Sequence, residues 1–162
     1  ELVEKVGVDA ARYTLIRYPV DTPMVMDLDV LKRNTNENPV YYVQYAHARI
    51  NSIFETAKSR GFDTEDLPKT FTTINNEKSF DLVQLLAGYP DIIKIAATTR
   101  APHRLTNYIN QLASAFHSFY NAQQVITTDH VKTMEHLALL KATQIVLKDS
   151  LQLIGVSAPD KM

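Results

Sequence analysis

The chain has 162 residues, 45% of them hydrophobic, and its 17 Lys and Arg against 18 Asp and Glu give a formal net charge of −1. A chain of this length buries a sizeable core as one domain with at most a short appendage. With 22% charged residues and no run of 18 apolar residues, it is neither a disordered chain nor a membrane span. The near-neutral balance also argues against a nucleic-acid binder, because contacts to phosphates usually make a domain basic.

Short helices are predicted at the start of the chain. Residues 1–6 and 9–18 have apolar side chains at helical spacing, and they are delimited by Gly7 and Pro19, which interrupt or end a helix. A further short helix is predicted over residues 27–33, before a polar stretch. This first part of the chain therefore consists of small elements joined by stiff or polar loops.

The strongest helix prediction covers residues 39–60. Asn38 followed by Pro39 has the form of an N-cap followed by proline at the first helical position, and Gly61 stands just beyond the end. Between these signals, apolar residues recur three and four positions apart, which is the spacing of one helix face.

Four more helices are predicted in the rest of the chain, after a loop over residues 62–73. Asn76 and Asp129 are suited to cap two of them, and Pro90 and Pro102 to begin the other two. The four helices are predicted over residues 76–87, 90–100, 102–125 and 129–153. Long helices joined by short loops, with only four glycines, predict an all-α helical bundle.

The neutral charge sum hides an uneven distribution. Residues 38–60 carry three Lys and Arg and one acid, whereas residues 92–128 carry Lys94, Arg100 and Arg104 without any acid. The second segment also contains two tyrosines and two phenylalanines. A positively charged stretch with aromatic side chains is a candidate surface for a polyanion.

Tyr42, Tyr45 and Arg49 lie opposite the apolar face on a helical wheel of residues 39–60. Solvated helix faces usually carry Lys, Glu and Gln, so two tyrosines followed by an arginine are unusual there. Their rings offer stacking platforms for unpaired bases, and the guanidinium can stack or bind phosphate. Alternatively, another helix covers this face and the tyrosines belong to the core. Periodicity alone leaves both readings open.

No catalytic or metal-binding constellation is found. The absence of cysteine excludes a thiol nucleophile and any zinc site with Cys ligands, and the four isolated glycines form no phosphate-binding loop. His117 lies near Ser114 and Ser118, but no acid lies in that region, which argues against a Ser-His-Asp triad. His47 falls on the apolar stripe and is predicted to be buried with a hydrogen bond to a carbonyl. We therefore expect no catalytic residue and no metal site.

Residues 38–49 read Asn-Pro-Val-Tyr-Tyr-Val-Gln-Tyr-Ala-His-Ala-Arg and resemble a signature of bacterial arginyl-tRNA synthetases, a class I family. Residues 6–13 resemble the segment near the end of that family's catalytic domain, a variant of its Asp-Ala-Leu-Arg pattern. Similarity continues in residues 102–108, 115–122, 141–148 and 153–162. The resemblance covers essentially the whole chain and points to the C-terminal DALR-type anticodon-binding domain with the tail end of the catalytic domain.

The resemblance implies a division of the chain and a binding site. Residues 1–37 would be the end of the catalytic domain and a connector, and residues 38–162 would be the helical anticodon-binding domain. The two tyrosines and the arginine singled out by the wheel match anticodon-loop contacts, Tyr120 matches an aromatic of the same site, and Met162 matches a tail that closes over the loop. The expected RNA-binding residues are Tyr42, Tyr45, Arg49, Tyr120, Met162, Lys94, Arg100 and Arg104, the last three as phosphate contacts.

The resemblance also implies a parent enzyme that uses ATP and magnesium to attach arginine to its tRNA. This chain contains neither the His-x-Gly-His nor the Lys-Met-Ser-Lys class of ATP motif, so it is expected to be inactive alone and to hold no cofactor. The implied partners are arginine tRNA, through its anticodon loop, and the catalytic domain of the full-length protein. The implied state is a cytoplasmic monomer without membrane contact. The alternative is a helical protein–protein interaction or dimerisation module with no RNA role.

Overall fold

The computed structural model describes residues 1–162 and contains seven α-helices and no strand, which confirms the all-α fold class. In chain order the helices are α1 (Leu2–Val6), α2 (Val8–Ile16), α3 (Leu28–Leu31), α4 (Pro39–Ser59), α5 (Glu77–Thr98), α6 (His103–Ala122) and α7 (His130–Leu153). Helices α4, α6 and α7 pack on one another, α5 packs along α6, and α2 packs against α4 and α6.

Two helices begin at the caps that the sequence predicts. At the start of α5, the side chain of Asn76 accepts a hydrogen bond from the backbone N–H of Ser79 at 3.0 Å. At the start of α7, Asp129 accepts from the N–H of Lys132, also at 3.0 Å. Each cap satisfies a backbone donor that has no partner within its helix.

Asn38 precedes α4 as predicted, but its side chain does not cap that helix. Its amide nitrogen donates to the carbonyl oxygens of Leu31 and Arg33, both at 3.0 Å. Pro39 occupies the first helical position, where a missing N–H has no consequence. Asn38 therefore fastens the end of α3 to the beginning of α4.

The predicted helix break near Gly88 and Pro90 is wrong, because α5 runs unbroken with Pro90 in its interior. Proline lacks an N–H and crowds the carbonyl four residues earlier, which favours a break in an isolated helix. Here α5 packs along α6, and the hydroxyl of Tyr108 donates to the carbonyl of Leu85 at 2.7 Å, close to the turn that Pro90 perturbs. Tertiary contacts therefore override the local signal.

Helix α6 ends at Ala122, before the predicted end near Val125. Gln123 has an extended backbone, and the side chain of Val125 is only 5% exposed. The carbonyl oxygen of Val125 lies 3.0 Å from Nδ1 of His136 on α7. After the helix ends, the side chain of Val125 packs in the core and its carbonyl oxygen bonds to His136 of α7.

One hydrophobic core joins the long helices. Tyr13 of α2 is 1% exposed, and its hydroxyl donates to the carbonyl of Thr106 at 3.3 Å, which fixes α2 to the beginning of α6. Phe116, Phe119 and Leu140 are fully buried at the contact of α6 with α7 and its neighbours. No helix is both long enough and apolar enough to span a bilayer.

Helices α4, α5 and α7 end in the same backbone motif, in which two N–H groups beyond the helix bond back to carbonyls of its last turn. The motif needs a residue with positive φ. That residue is Gly61 after α4 (φ 84°) and Gly155 after α7 (φ 70°), but it is Arg100 after α5 (φ 51°). Glycine takes this conformation without steric cost, whereas a side chain does not. Arg100 is the one non-glycine residue with positive φ in the structure.

Candidate nucleic-acid interface

The α4 face that carries the predicted tyrosines meets α6. Tyr42 packs against the hydrophobic core, and its ring centroid lies 4.9 Å from that of His117 on α6. The ring of Tyr45 lies 6.0 Å from His117 and 5.9 Å from Tyr41, in stacked orientations. Both Tyr42 and Tyr45 are half-buried. Helix α6 therefore covers part of this face, and each of the two tyrosines retains an accessible part.

Arg49 joins α4 to α6 through its guanidinium. Nη1 donates to the hydroxyl of Tyr45 at 3.0 Å, and Nη2 donates to the hydroxyl of Tyr120 at 2.9 Å. The Cζ atom of Arg49 lies 4.7 Å from the ring centroid of Tyr120, within the range of a cation–π contact. These three side chains form one cluster across two helices, which we call the Tyr–Arg–Tyr cluster.

The guanidinium of Arg49 keeps its positive charge free for an anion. Burial alone would lower the pKa of Arg49, but the hydrogen bonds to Tyr120 and Tyr45 outweigh burial and raise it. None of the five ion pairs in the structure includes Arg49. A fixed guanidinium held by two neutral hydroxyls is oriented without being neutralised.

His117 belongs to the same surface. From the sequence it is considered only for a catalytic triad, which the absence of a nearby acid argues against. Its ring contacts those of Tyr42 and Tyr45, and its Nε2 atom is buried without a hydrogen-bond partner. Burial lowers the pKa of His117 below its ordinary value, against a raising effect of the Tyr42 backbone and with a smaller lowering effect of the Arg49 charge. The spacing of His117 and Tyr120, three residues apart on α6, is the sequence signal that places both on one face.

The tail, residues 157–162, lies along α4 and brings Met162 to the Tyr–Arg–Tyr cluster. Three α4 side chains at spacings of three and four residues hold main-chain carbonyls of the tail. The pairs are Gln44 with Ser157 at 2.9 Å, His47 with Pro159 at 3.0 Å and Asn51 with Asp160 at 3.2 Å. His47 is 1% exposed, which confirms the prediction of a buried histidine bonded to a carbonyl.

Two open cavities flank Arg49. One, of about 570 Å³, is lined by Tyr45, Arg49 and Met162 among others. The other, of about 520 Å³, includes Arg49, Tyr120 and Arg60 in its lining and no acidic residue. Arg60 is absent from the sequence-predicted site. Its position eleven residues after Arg49 returns it to nearly the same side of the helix axis, and this is the signal that points to it.

Lys94, Arg100 and Arg104 lie apart from the Tyr–Arg–Tyr cluster. Lys94 is on α5, Arg100 follows α5, and Arg104 is in the first turn of α6, all of them exposed and none in an ion pair. Arg104 and Tyr120 stand at opposite ends of α6, separated by roughly 24 Å along its axis at 1.5 Å per residue. The predicted site therefore has two separate parts.

Neither a cluster of metal-binding side chains nor a glycine-rich phosphate loop is present in the structure. No group of three or more His, Asp or Glu side chains is arranged to bind a metal. Gly61 and Gly155 follow helices, Gly88 lies within α5, and Gly7 stands alone between α1 and α2. A loop of several glycines that cradles phosphates is therefore absent.

The sequence model of the DALR anticodon binding domain family matches residues 43–162. The chain belongs to this family. Over its whole length, this chain is 48% identical to the arginine–tRNA ligase of Bacillus pumilus and 51% identical to that of Bacillus subtilis. It spans 29% of the length of each of these curated relatives.

Solved structures show the same fold as the DALR chain. A protein described as an arginyl-tRNA synthetase of Campylobacter jejuni matches 99% of this chain with a TM-score of 0.89 and 30% sequence identity, over 35% of its own length. The arginyl-tRNA synthetase of Plasmodium falciparum matches 99% of this chain with a TM-score of 0.85, over 28% of its length. That second likeness, at 22% identity, concerns the fold alone.

Proposed function

We propose that this chain binds the anticodon loop of arginine tRNA and thereby supports ATP-dependent tRNA arginylation by a longer enzyme. Its relatives are named arginine–tRNA ligases, and it spans less than a third of their length. The observation that carries the proposal is the Tyr–Arg–Tyr cluster beside Met162, in which a charged guanidinium is fixed between two aromatic side chains. Aromatic faces and guanidinium planes are the groups on which proteins stack unpaired RNA bases.

Each member of the surface has a distinct role in this proposal. Tyr45 and Tyr120 supply ring faces for splayed bases, and Arg49 stacks on a base or binds a phosphate. Tyr42, packed on the core, supports the surface from below, and Met162 closes over the bound loop. The half-buried state of the tyrosines favours this role, because the buried part of each ring fixes its orientation.

Lys94, Arg100 and Arg104 are proposed to contact phosphates at a distance from the loop. Their separation from the Tyr–Arg–Tyr cluster suits the backbone of the adjoining stem rather than the anticodon bases. Contacts of this kind position an RNA and carry no sequence information. The discrimination between RNAs is therefore assigned to the cluster.

The chemical step is proposed to lie in another part of the longer protein, because this chain contains neither class of ATP motif and spans only 29% of its relatives' length. We propose that residues 1–37 connect that catalytic part to the domain formed by residues 38–162. The full-length protein is proposed to be a cytoplasmic monomer.

Binding to an anticodon stem–loop tests the proposal. Fluorescence anisotropy would measure the affinity of the chain for the stem–loop of an arginine tRNA and for the same RNA with its central anticodon base replaced. We expect tighter binding of the unaltered loop, with an affinity that falls as salt rises. Equal affinities would remove the specificity part of the proposal, and no binding to either RNA would overturn it.

Light scattering separates this proposal from a dimerisation module. We expect a monomer without RNA at all concentrations tested and a one-to-one complex with the stem–loop. A stable dimer combined with the absence of salt-dependent RNA binding would favour the protein-interaction alternative.

A further inference from the structure

The carboxylate of Asp9 is the meeting point of α2, α4 and the tail. One oxygen, Oδ1, accepts from the backbone N–H of Ser157 at 3.2 Å. The other, Oδ2, accepts from the hydroxyl of Ser157 and from Nε2 of Gln44 at 2.8 Å. Gln44 in turn donates to the carbonyl of Ser157. The first residue of the tail is thus bound through its N–H, its hydroxyl and its carbonyl.

Asp9 makes these contacts as a carboxylate without a cationic partner. None of the five ion pairs in the structure includes Asp9. All three of its hydrogen bonds go to Ser157 and Gln44, and Gln44 is 8% exposed. Hydrogen bonds to an ionised acceptor are stronger than those between neutral groups. Asp9 therefore holds the tail, and it neither caps α2 nor forms an ion pair with a basic side chain.

The contacts of Asp9 and Gln44 with Ser157 fix the beginning of the tail on α4. From Ser157 the chain passes His47 and Asn51, which bind the next carbonyls along the same face of α4. It ends with Met162 in the lining of the cavity that contains Tyr45 and Arg49. Release of Ser157 would leave the segment that ends in Met162 held only by the bonds from His47 and Asn51.

We propose that Asp9 is a positioning residue for RNA binding, which acts through the tail and does not itself touch the RNA. This inference rests on the proposed function. By ordering residues 157–162 before RNA arrives, Asp9 removes an entropic cost that binding would otherwise carry. Asp9 lies in the segment that we assign to the connector, so the connector contributes to the anticodon-binding surface indirectly, by holding the tail.

The substitution Asp9→Asn tests the proposal, because the amide keeps the size of the side chain and loses an acceptor for Ser157 or Gln44. We expect affinity for the arginine-tRNA anticodon stem–loop to fall roughly tenfold, as one charge-assisted hydrogen-bond set is lost. Asp21→Asn is the matched control, since Asp21 is exposed and makes none of these contacts. Its affinity should equal that of the unaltered chain.

A double-mutant cycle separates positioning from a general loss of stability. If Asp9 acts through Met162, Asp9→Asn should weaken binding much less in a Met162→Ala background than in the unaltered chain. An equal effect in both backgrounds would overturn the proposal. The substitution Ser157→Ala removes the hydroxyl that donates to Asp9, so it should reproduce part of the loss of affinity caused by Asp9→Asn.

Hydrogen exchange tests the hold on the tail without RNA. Exchange of the Ser157 amide should be faster in Asp9→Asn than in Asp21→Asn, while amides of the α6 core remain protected in both. Unchanged exchange at Ser157 would contradict the proposal. If the unaltered chain fails to bind the stem–loop, the proposed function fails, and the exchange result still decides whether Asp9 orders the tail.

Discussion

Tyr45 contributes two separable groups to the surface, a ring face and a hydroxyl that accepts from Arg49. We expect Tyr45→Ala to weaken binding of the arginine-tRNA stem–loop by about 1–3 kcal/mol, the range observed when a base loses an aromatic stacking partner. Isothermal titration calorimetry with the stem–loop would measure it.

Tyr45→Phe is the informative control for that prediction. It keeps the ring and removes only the hydrogen bond to Arg49, which Tyr120 still holds. The phenylalanine variant should therefore retain most of the affinity. If Phe and Ala weaken binding equally, the hydroxyl rather than the ring face carries the effect.

Arg100 combines a strained backbone with an exposed charge. Because its φ of 51° favours glycine, Arg100→Gly should stabilise the fold by about 0.5–1 kcal/mol. Urea denaturation monitored by circular dichroism would measure the change. Arg100→Lys keeps both the charge and the strain, so its stability should match that of the unaltered chain. A glycine variant that is less stable would show that the Arg100 side chain makes a stabilising contribution greater than the strain.

At the scale of elements, Glu135 of α7 holds the loop that precedes α5. This side chain is 2% exposed and accepts four hydrogen bonds, two from Thr72 and two from Thr73, at 2.6–2.8 Å. Burial alone would raise the pKa of Glu135, but the four hydrogen bonds outweigh burial and lower it to about 2. The carboxylate is thus the form that the fold selects.

The lowered pKa of Glu135 predicts a pH dependence of stability. A folded-state pKa below the ordinary value of about 4.3 contributes stability that is present above that value and is lost as pH falls towards 2. Glu135→Gln should be less stable than the unaltered chain by about 1–3 kcal/mol at pH 7, since an amide turns an N–H towards backbone donors.

Urea denaturation at pH 7 and at pH 3 would check this expectation. The difference between Glu135→Gln and the unaltered chain should shrink at the lower pH, because protonation removes the advantage of the carboxylate. The exposed Glu65, in a weak ion pair of 4.0 Å with Lys58, is the matched control, and Glu65→Gln should change little at either pH. A difference that stays constant with pH would contradict the role assigned to Glu135.

Sequence predicts the helices where the deciding contacts are local. The caps at Asn76 and Asp129 involve a backbone donor three residues away, so they are visible in a short stretch of sequence. The break expected at Pro90 is wrong because continuity of α5 depends on α6, including the bond from Tyr108 to Leu85. Contacts of that kind depend on how helices cross, which a single segment does not encode.

The same division applies to the candidate site. Helical periodicity predicts that Tyr42, Tyr45 and Arg49 share a face, and the structure places them side by side. The contacts of Arg49 with Tyr120, and of His117 with both α4 tyrosines, exist only because α4 and α6 cross at this point. Sequence resemblance supplies Tyr120 and Met162, but the hold of Asp9 on the tail requires the folded chain.

At the scale of the whole molecule, the cationic side chains and the aromatic surface are separated. Lys94, Arg100 and Arg104 lie towards the beginning of α6, and the Tyr–Arg–Tyr cluster lies towards its end. Lys94→Ala should therefore weaken RNA binding by the same factor for the unaltered and the base-substituted stem–loop. The salt dependence of binding should also become shallower, by a slope of about 1 or less, since one phosphate contact is lost. Titrations at several salt concentrations would measure both effects.

Tyr45→Ala is the natural comparison for the Lys94 prediction. It should reduce the preference between the two stem–loops and leave the salt slope nearly unchanged, because a ring face releases no counterion. If Lys94→Ala alters the preference and Tyr45→Ala alters the slope, the division between the two ends of α6 is wrong.

Helix α4 holds the end of the tail through backbone carbonyls and leaves the exposed side chains there without a structural role. His47 and Asn51 bind the backbone carbonyls of Pro159 and Asp160. The exposed side chain of Asp160 can therefore be replaced without loss of these bonds. The chain contains no cysteine, which makes Asp160→Cys a unique attachment point for a fluorophore. A label at this exposed position would report a change in the surroundings of the tail when RNA binds, without any dye on the RNA.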